Sequence, residues 1–399
     1  MPLASKIAAL AHLTPPVLTV YVDINPSYPR NQSTPRGYIT WLKSAGQELG
    51  RELPQDSQKA FRRQLRRVDR FLNTERPRAQ SLVIFAGLHV WEVIALQVDV
   101  NEELHWGKPS LHQMAWILDE HRPRGAVVVE GTGARFFRFW LGTVDESPEH
   151  AFSFDVSTWR KPYLVGPSTP GVPKRHGIQR DRVSARTAAQ RQHFLKKVSH
   201  RIAEWAEDAN ISPIVLIGSA EETRAIKNNL PAELRAQTVS LSKVLPQIAP
   251  KELSKRLRPI LDRWEREYEV QVVKEVIAGE RSGQTVIGLR DTLDRLQKNQ
   301  LRELVVARGL KGSAQECSSC GWIEDSSSVP CGVCGSKRQS RTLRTLLPEL
   351  ASAYSVPFEV VAGKAGSILL AKGGIAGSLR SAKKGAARKW NVPVLSAAG

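Results

Sequence analysis

The sequence predicts an α/β protein, α+β when its whole length is considered. Short β-branched or apolar runs alternate with longer segments whose apolar residues recur every three or four positions. The apolar run Ile214–Gly218 is typical of a buried central strand, and Ser219 with Glu222 forms a capping box that starts the next helix. Strands and helices in such succession predict helices layered on a largely buried sheet.

Length and composition fit a soluble protein of several domains. A chain of 399 residues is long enough for about two to four domains with real cores. The sequence has no apolar run of about 18 residues. Residues 1–11 lack the layout of a signal peptide, since the apolar stretch after Lys6 is short and stops at His12. We therefore expect a cytoplasmic protein that does not enter a membrane.

The charge balance predicts a polyanionic partner. The chain has 58 Lys plus Arg against 39 Asp plus Glu, a formal net charge of +19. A field of this size attracts nucleic acid, the usual large soluble polyanion. A membrane surface is the weaker alternative, because no terminal segment forms a basic amphipathic helix. We expect an RNA-binding protein.

The first third predicts three strands and a long helical segment. The strands are Val17–Val22, Ser81–Gly87 and Val90–Val98, and the helical segment runs from about Tyr38 to Leu72. We place a domain boundary near residue 121, where Arg122-Pro123-Arg124 precedes the next strand.

The helical segment carries a basic face beside its apolar stripe. A charge run of this kind is most often a solvated face, but it would also suit an RNA backbone. The candidate RNA-binding residues here are Arg62, Arg63, Arg66 and Arg67.

The middle third contains a glycine motif that resembles a dinucleotide fingerprint. Gly131-Thr132-Gly133 follows the strand Ala126–Glu130. No further glycine completes the pattern, and residues 134–141 predict the second strand of a hairpin, so we reject a nucleotide site. Further on, residues 251–277 predict a helix.

A basic segment in the middle third is the candidate catalytic element. Prolines and glycines between Gly166 and Pro173 exclude regular structure, and a helix with Leu195, Val198 and Ile202 on one face follows. We predict a loop, residues 166–183, with Gln179 near its tip. It is either a solvated basic loop or a finger that follows phosphates and places Gln179 at a reacting bond. The candidate RNA-binding residues here are Lys174, Arg175, His176, Arg180, Arg182 and Arg186.

Four cysteines predict a structural zinc site. Cys317-x2-Cys320 and Cys331-x2-Cys334 lie within 18 residues, which excludes a distributed disulfide framework. The two-residue gap lets both thiolates of a pair reach one ion, and four thiolates leave no coordination position open for substrate. A redox role for either pair is the residual alternative.

The rest of the final third predicts alternating elements. These are a helix at Leu289–Leu296, a strand at Leu304–Ala307, a helix at about Thr342–Tyr354, strands at Phe358–Val361 and Ser367–Leu370, and a glycine-rich loop at Lys372–Arg380.

The order of these motifs resembles the archaeal and eukaryotic class-1 peptide release factor and Pelota superfamily, in its bacterial branch. Residues 287–293 resemble the family's "G-x-DDTL" segment, and residues 373–380 its "GGIGGILRY" segment. Residues 82–87 and 128–134 resemble its "LVIFCG" and "VIDGSGA" strands. Residues 174–179 resemble its "K-H-G-x-GGQ" loop.

The resemblance implies three domains. Residues 1–121 would form a decoding-side domain, and residues 122–264 a ribonuclease-H-like domain bearing the loop. Residues 265–399 would resemble kink-turn-binding ribosomal proteins and carry a zinc insert at 317–334. It also implies a monomer that binds the ribosomal A site, contacting ribosomal RNA and the P-site tRNA. A translational GTPase such as elongation factor Tu is an implied partner.

The sequence departs from the family at two functional positions. Residues 31–36 do not match the "TASNIKS" loop that reads stop codons, and Gly177-Ile178-Gln179 stands where Gly-Gly-Gln is expected. Ile178 is β-branched, so it restricts the backbone and adds bulk where the family has glycine. Gly177 and Gln179 remain the catalytic candidates for hydrolysis of the peptidyl-tRNA ester.

Three hypotheses follow. The chain could occupy the A site of idle or stalled ribosomes without cleavage, in hibernation or stalled-ribosome recognition. It could instead be a rescue factor whose Gln179 promotes peptidyl-tRNA hydrolysis. The weakest alternative is an RNA-processing nuclease, since that chemistry needs clustered carboxylates and the sequence offers scattered ones such as Glu130 and Asp145.

Overall fold

The computed structural model describes residues 9–10, 13–75, 77–130, 133–153, 176–242, 248–325 and 330–380. Side chains of residues 152–153 and 176–187 lie outside this description. The chain forms two compact units, one from Met1–His121 with Glu265–Gly399 and the other from Arg122–Trp264. The division into three domains stays a prediction.

The described residues form 11 helices and 17 strands. The helices are α1 (Pro29–Gln32), α2 (Gly37–Glu52), α3 (Gln55–Thr74), α4 (His112–Glu120), α5 (His176–Asp208), α6 (Ala220–Asn229), α7 (Ala232–Ala236), α8 (Pro250–Arg281), α9 (Leu289–Gln297), α10 (Leu343–Ala353) and α11 (Gly363–Leu370). The first eight strands are β1 (Val17–Asp23), β2 (Ser81–Ala86), β3 (Trp91–Leu96), β4 (Glu103–Gly107), β5 (Arg124–Glu130), β6 (Gly133–Trp140), β7 (Thr143–Glu146) and β8 (Phe152–Ser153). The remaining nine are β9 (Ile214–Gly218), β10 (Thr238–Ser242), β11 (Thr285–Ile287), β12 (Leu301–Ala307), β13 (Ser313–Cys317), β14 (Ile323–Glu324), β15 (Arg338–Thr342), β16 (Phe358–Val361) and β17 (Ile375–Leu379).

The N-terminal part of the first unit is an antiparallel sheet in the order β3-β2-β1-β4, with α2 and α3 packed on it. The predicted single helical segment is divided at Pro54. The residue before a proline is driven out of the helical region, and Leu53 has an extended backbone there, with φ −77° and ψ 144°. Phe61, Val68 and Leu72 of α3 are buried in the core beneath.

The C-terminal part of the first unit is a mixed sheet in the order β11-β17-β12-β16. The cysteine insert adds a separate sheet in the order β14-β13-β15. Leu304, Leu347 and Ile375 are buried in the core of this part.

Two predictions for this part were wrong. Residues 367–370 belong to helix α11, not to a strand, because Ala365 and Leu369 place their side chains inward at helical spacing. Residues 375–379, predicted as part of a glycine-rich loop, form the buried strand β17. Gly377 is required there, since a Cβ atom would lie 2.7 Å from the Leu301 side chain.

The second unit is a mixed sheet in the order β10-β9-β5-β6-β7, with β8 paired to β6. Strands β5, β9 and β10 are parallel, whereas β6 and β7 are antiparallel to their neighbours. The hairpin of β5 and β6 is the one predicted in place of a nucleotide site. Trp205 of α5 is 1% exposed and packs at 84° against Phe136 in this core.

The predicted loop at 166–183 extends too far. Helix α5 begins at His176, so the backbone from 176 to 183 is helical. No proline occurs between Pro173 and Pro213, and the residues after Pro173 include good helix formers. Residues 166–175, with Lys174 and Arg175, lie outside the described residues.

Candidate metal centre and nucleic-acid-binding surfaces

The four cysteines are brought together as predicted. Their sulfur atoms all lie within 4.8 Å of one another, with 3.4 Å between Cys317 and Cys334 and 3.7 Å between Cys320 and Cys331. A zinc tetrahedron with bonds of about 2.3 Å has sulfur–sulfur edges of about 3.8 Å. The spacing is therefore compatible with one structural zinc ion.

The two cysteine turns have the same backbone hydrogen bonds. The N–H of Gly321 donates to the Cys317 carbonyl at 3.0 Å, and the N–H of Gly335 donates to the Cys331 carbonyl at 2.8 Å. Both glycines have positive φ, 71° and 73°, which a side chain would disfavour. These repeated turns aim both cysteines of each pair toward a common point.

The thiols have unequal acidity when no cation is present. Hydrogen bonds from the side chain and backbone of Ser336 lower the pKa of Cys334 to about 6. At Cys320 the backbone N–H of Trp322 lowers the pKa, but burial and the neighbouring sulfurs raise it by more, to about 12. Four thiolates this close repel one another unless a cation lies between them. Thiolate sulfur is a soft donor, and zinc is a cation that such a donor set would bind.

Gln297, at the end of α9, connects the insert to the C-terminal part of the first unit through side-chain hydrogen bonds. The Gln297 side chain accepts from the Ile323 N–H at 2.8 Å and donates to the Ile323 carbonyl at 2.8 Å. Arg338 of β15, whose side chain is fully buried, donates to Glu324 of β14 at 2.7 Å. Sequence reasoning missed both residues because their partners are distant in sequence.

The cations of α3 fall into two groups at helical spacing. Two adjoining grooves share Gln58, Arg62 and Leu65; one is lined by α3 alone, the other lies between α2 and α3, and together they are called the cleft. Lys59, Arg62 and Arg66 of α3 are called the cleft cations. Arg63, Arg67 and Arg70 are called the β3-side cations, because the Arg67 guanidinium lies 4.3 Å from the ring centroid of Trp91 in β3. Arg67 therefore has a packing role as well as a charge.

Two cations of α2 that the sequence analysis overlooked complete the cleft. Lys43 and Arg51 line it from the side opposite the cleft cations. The available signal was Gly46-x3-Gly50, a spacing of small residues that lets two helices approach closely.

The described part of α5 anchors the candidate catalytic segment to the second unit. Arg191 donates to Glu222 at 2.7 Å, and Ser199 donates to the carbonyl oxygens of Leu195 and Ile226. Side chains of His176, Gln179, Arg180, Arg182 and Arg186 are outside the description, so their predicted roles stay predictions.

Asp145 and Glu146 of β7 lie beside different arginines of β6, Arg138 and Arg135. Arg135 donates to both carboxylate oxygens of Glu146, at 2.8 and 2.9 Å, and the pKa of Glu146 is lowered by those hydrogen bonds. Among the described residues, the four cysteines are the one group of three or more metal-ligating side chains close enough to share an ion. No helix in the described part of the chain is both long and apolar enough to cross a membrane.

Comparison with known proteins bears on the middle of the chain. Residues 109–255 match the model of Bacterial archaeo-eukaryotic release factor family 10, which confirms the resemblance to the bacterial branch of the release factor and Pelota superfamily. None of the curated proteins matches the chain.

Solved structures with partial likeness include Archaeoglobus fulgidus Pelota, at 15% identity and TM-score 0.31, over 75% of this chain and 79% of that one. An archaeal translation termination factor, aRF1, shares 15% identity at TM-score 0.24, over 95% of this chain and 96% of that one. S. cerevisiae Dom34 shares 10% identity at TM-score 0.38, over 75% of this chain and 79% of that one. At TM-scores below 0.5, these likenesses define neither the fold nor the activity of the chain.

Proposed function

We propose, from the match of residues 109–255 to bacterial archaeo-eukaryotic release factor family 10, that the chain is a ribosome-binding translation factor. In this proposal it occupies the A site of stalled or idle ribosomes, without reading a stop codon, and serves hibernation or stalled-ribosome recognition. The family match carries the proposal, and the net charge of +19 supports an RNA-rich target.

The domain assignments belong to the same proposal. A ribonuclease-H-like middle domain is supported by the antiparallel run β5-β6-β7, which continues through the parallel strands β9 and β10. Helix α5 precedes β9 in sequence, and α6 and α7 lie between β9 and β10. A kink-turn-protein-like C-terminal domain rests on the sequence resemblance at residues 287–293 and 373–380. We assign residues 317–334 to its zinc insert.

The state of residues 31–33 supports binding without codon reading. Asn31 is 6% exposed, and its side-chain amide donates to the carbonyl oxygens of Asp23 and Asn25. The Gln32 side chain donates to the Pro26 carbonyl, and the Ser33 hydroxyl to the carbonyl oxygens of Arg30 and Pro35. Asn31 is buried with its amide N–H groups bonded within the protein, so its side chain is poorly placed to inspect a codon.

The Gly177-Ile178-Gln179 sequence supports binding without efficient cleavage. A glutamine amide does not titrate, so Gln179 could position water by hydrogen bonds but could not act as acid or base. Ile178 adds a branched side chain where the family has glycine. The alternative function is that of a rescue factor that promotes peptidyl-tRNA hydrolysis through Gln179 and Gly177. The nuclease alternative has no support among the described residues, since Asp145 lies 3.9 Å from the Arg138 guanidinium and no cluster of carboxylates there could share an ion.

The implied partners follow the same proposal. They are ribosomal RNA and the P-site tRNA, contacted by the candidate RNA-binding residues given above, with delivery by a translational GTPase such as elongation factor Tu. We propose that one chain acts as a monomer and holds one structural zinc ion.

A single-turnover release assay with parallel pelleting tests the proposal. Ribosomes with labelled peptidyl-tRNA in the P site and an empty A site are mixed with wild type, Gln179→Ala or Ile178→Gly. Gln192→Ala is the matched control, an exposed glutamine further along α5. We expect wild type to pellet with ribosomes and release no peptide. Release that disappears in Gln179→Ala alone would establish a rescue hydrolase, and absence from the pellet would refute ribosome binding.

A further inference from the structure

The cleft between α2 and α3 has a composition suited to an anion. Each of its two adjoining grooves is lined by three cations, with Arg62 common to both, and the described lining of neither groove includes an acidic residue. An ordinary solvated helix surface mixes both signs of charge. The lining residues are Lys43, Gly46, Gln47, Gly50, Arg51, Gln55, Gln58, Lys59, Phe61, Arg62, Leu65 and Arg66.

The floor of the cleft is apolar. A Cβ atom on Gly46 would lie 2.5 Å from the Leu65 side chain, and one on Gly50 would lie 3.3 Å from the Phe61 ring. The glycines therefore bring the two helices into close contact and leave a groove of ≈ 490 Å³ above them. A groove of this size can accept a small planar group but is too small for a broad macromolecular surface.

One cleft cation is held in position before any ligand binds. Gln58 donates to the Leu53 carbonyl at 3.0 Å and accepts from the Arg62 guanidinium at 2.9 Å. This chain of hydrogen bonds fixes Arg62 to the turn between the helices. An arginine restrained in this way loses less entropy when it binds a phosphate.

The spacing of the cleft cations matches a nucleic acid backbone. Lys59 and Arg66 are separated by about 10 Å along the helix axis at 1.5 Å per residue. That distance spans at least two neighbouring phosphates of a single strand. Lys43 and Arg51 supply charge on the opposite wall.

We propose that this cleft binds single-stranded RNA, with phosphates on its cations and an unpaired base over its apolar floor. The amides of Gln47 and Gln55 supply donors and acceptors for base edges. A duplex buries its base faces by stacking, whereas a single strand can present one to an apolar surface. The inference deepens the proposed function and rests on it for the source of the RNA.

Fluorescence anisotropy with a labelled six-nucleotide oligouridylate tests the site. The cleft variant is Arg62→Gln with Arg66→Gln, and the matched control, Arg70→Gln with Arg78→Gln, removes the same charge at exposed positions that do not line the cleft. We expect about tenfold weaker binding for the cleft variant, with the salt slope reduced by about 1.4 for two lost phosphate contacts. The control should change affinity less than about twofold. Melting curves establish that both variants fold.

Gln58→Ala tests the positioning of Arg62 separately. It removes no charge, so weaker oligonucleotide binding at an unchanged salt slope is the expected result. An equal loss of oligonucleotide affinity in the cleft variant and in the control variant would overturn the inference. It would mean that the overall positive charge of the protein, not the cleft, attracts the RNA. Equal competition by an RNA duplex or by an acidic peptide would overturn it as well.

Ribosome pelleting of the same proteins separates this inference from the proposed function. A wild-type protein that pellets with ribosomes but fails to bind the oligonucleotide would refute the cleft site alone. One that binds the oligonucleotide through the cleft but does not pellet would refute ribosome binding alone.

Discussion

Glu103 in β4 is a partly buried carboxylate that three side chains satisfy. His112 lies 3.1 Å from one carboxylate oxygen, Gln113 donates to the same oxygen at 3.1 Å, and Ser110 donates to the other at 3.2 Å. Burial raises the pKa of Glu103, but the contacts with His112, Gln113 and Ser110 lower it by more, so the net pKa lies below its ordinary value.

We predict that Glu103 makes stability depend on pH in the acidic range. Its pKa is lower in the folded chain than in the unfolded chain, so its stabilisation is present above the unfolded pKa. That stabilisation is lost as the pH falls through the folded pKa. Urea unfolding across this range should show the loss in wild type and a flatter profile in Glu103→Gln. An equally steep profile in the variant would show that other groups are responsible.

A second residue-scale prediction concerns Gly125 in β5. A Cβ atom there would lie 2.8 Å from both Trp205 and Ile211, in a core with no space to yield. We expect Gly125→Ala to lower the free energy of unfolding by about 1–3 kcal/mol. Gly87→Ala is the control, because its Cβ would meet neighbours at 3.6 Å, an ordinary contact. Equal stability of the two variants in urea unfolding would contradict the steric argument.

At the scale of elements, local chemistry determined what the sequence could predict. The strand Ile214–Gly218 and the capping box of Ser219 and Glu222 are present as predicted, because their signals lie within a few residues. Residues 367–370 were assigned wrongly because a short apolar run fits a strand or a helix equally well, and the packing of Leu369 decides between them.

The candidate metal centre was predictable and its support was not. Spacing alone predicts that Cys317, Cys320, Cys331 and Cys334 come together, and their sulfur atoms lie within 4.8 Å of one another. Gln297 is 26 residues from Ile323. No local pattern indicates that the Gln297 side chain hydrogen-bonds the Ile323 backbone as a neighbouring strand would. The sequence therefore predicts the ligands but not the attachment of the insert.

The element-scale prediction is that zinc and Gln297 order the insert together. Removal of zinc by a chelator should increase hydrogen exchange in β13, β14 and β15, because the cysteine turns lose the ion that they share. Gln297→Leu leaves the buried N–H and carbonyl of Ile323 unpaired, at a cost of about 2–4 kcal/mol, and should speed zinc loss to the chelator.

The control for that prediction is Gln300→Leu, at an exposed glutamine three residues away. It should lose zinc at the wild-type rate. A metal analysis that finds no zinc in purified wild type, with the insert equally protected, would contradict a structural metal.

At the scale of the whole molecule, the sequence did not reveal that residues 1–121 and 265–399 form one compact unit. Helix α4 joins the two parts through contacts between residues more than 200 positions apart. The Trp116 indole donates to the Arg344 carbonyl at 2.9 Å and packs edge-on against Phe358. Asp119, 3% exposed, accepts from the Val360 N–H at 2.7 Å. These contacts form only in the tertiary structure, and the spacing of apolar residues along the sequence does not predict them.

The last prediction is that α4 couples the stability of these two parts. Asp119→Ala leaves the Val360 N–H unpaired at the edge of β16, at a cost of about 1–3 kcal/mol. Hydrogen exchange should therefore rise in β16 and, because α4 follows directly on β4, in the N-terminal sheet as well. Glu120→Ala is the neighbouring control, since its ion pair with Arg308 is partly exposed and contributes about 0–1 kcal/mol. Exchange that rises in β16 alone would mean that the two parts unfold independently, whatever their contacts in the folded chain.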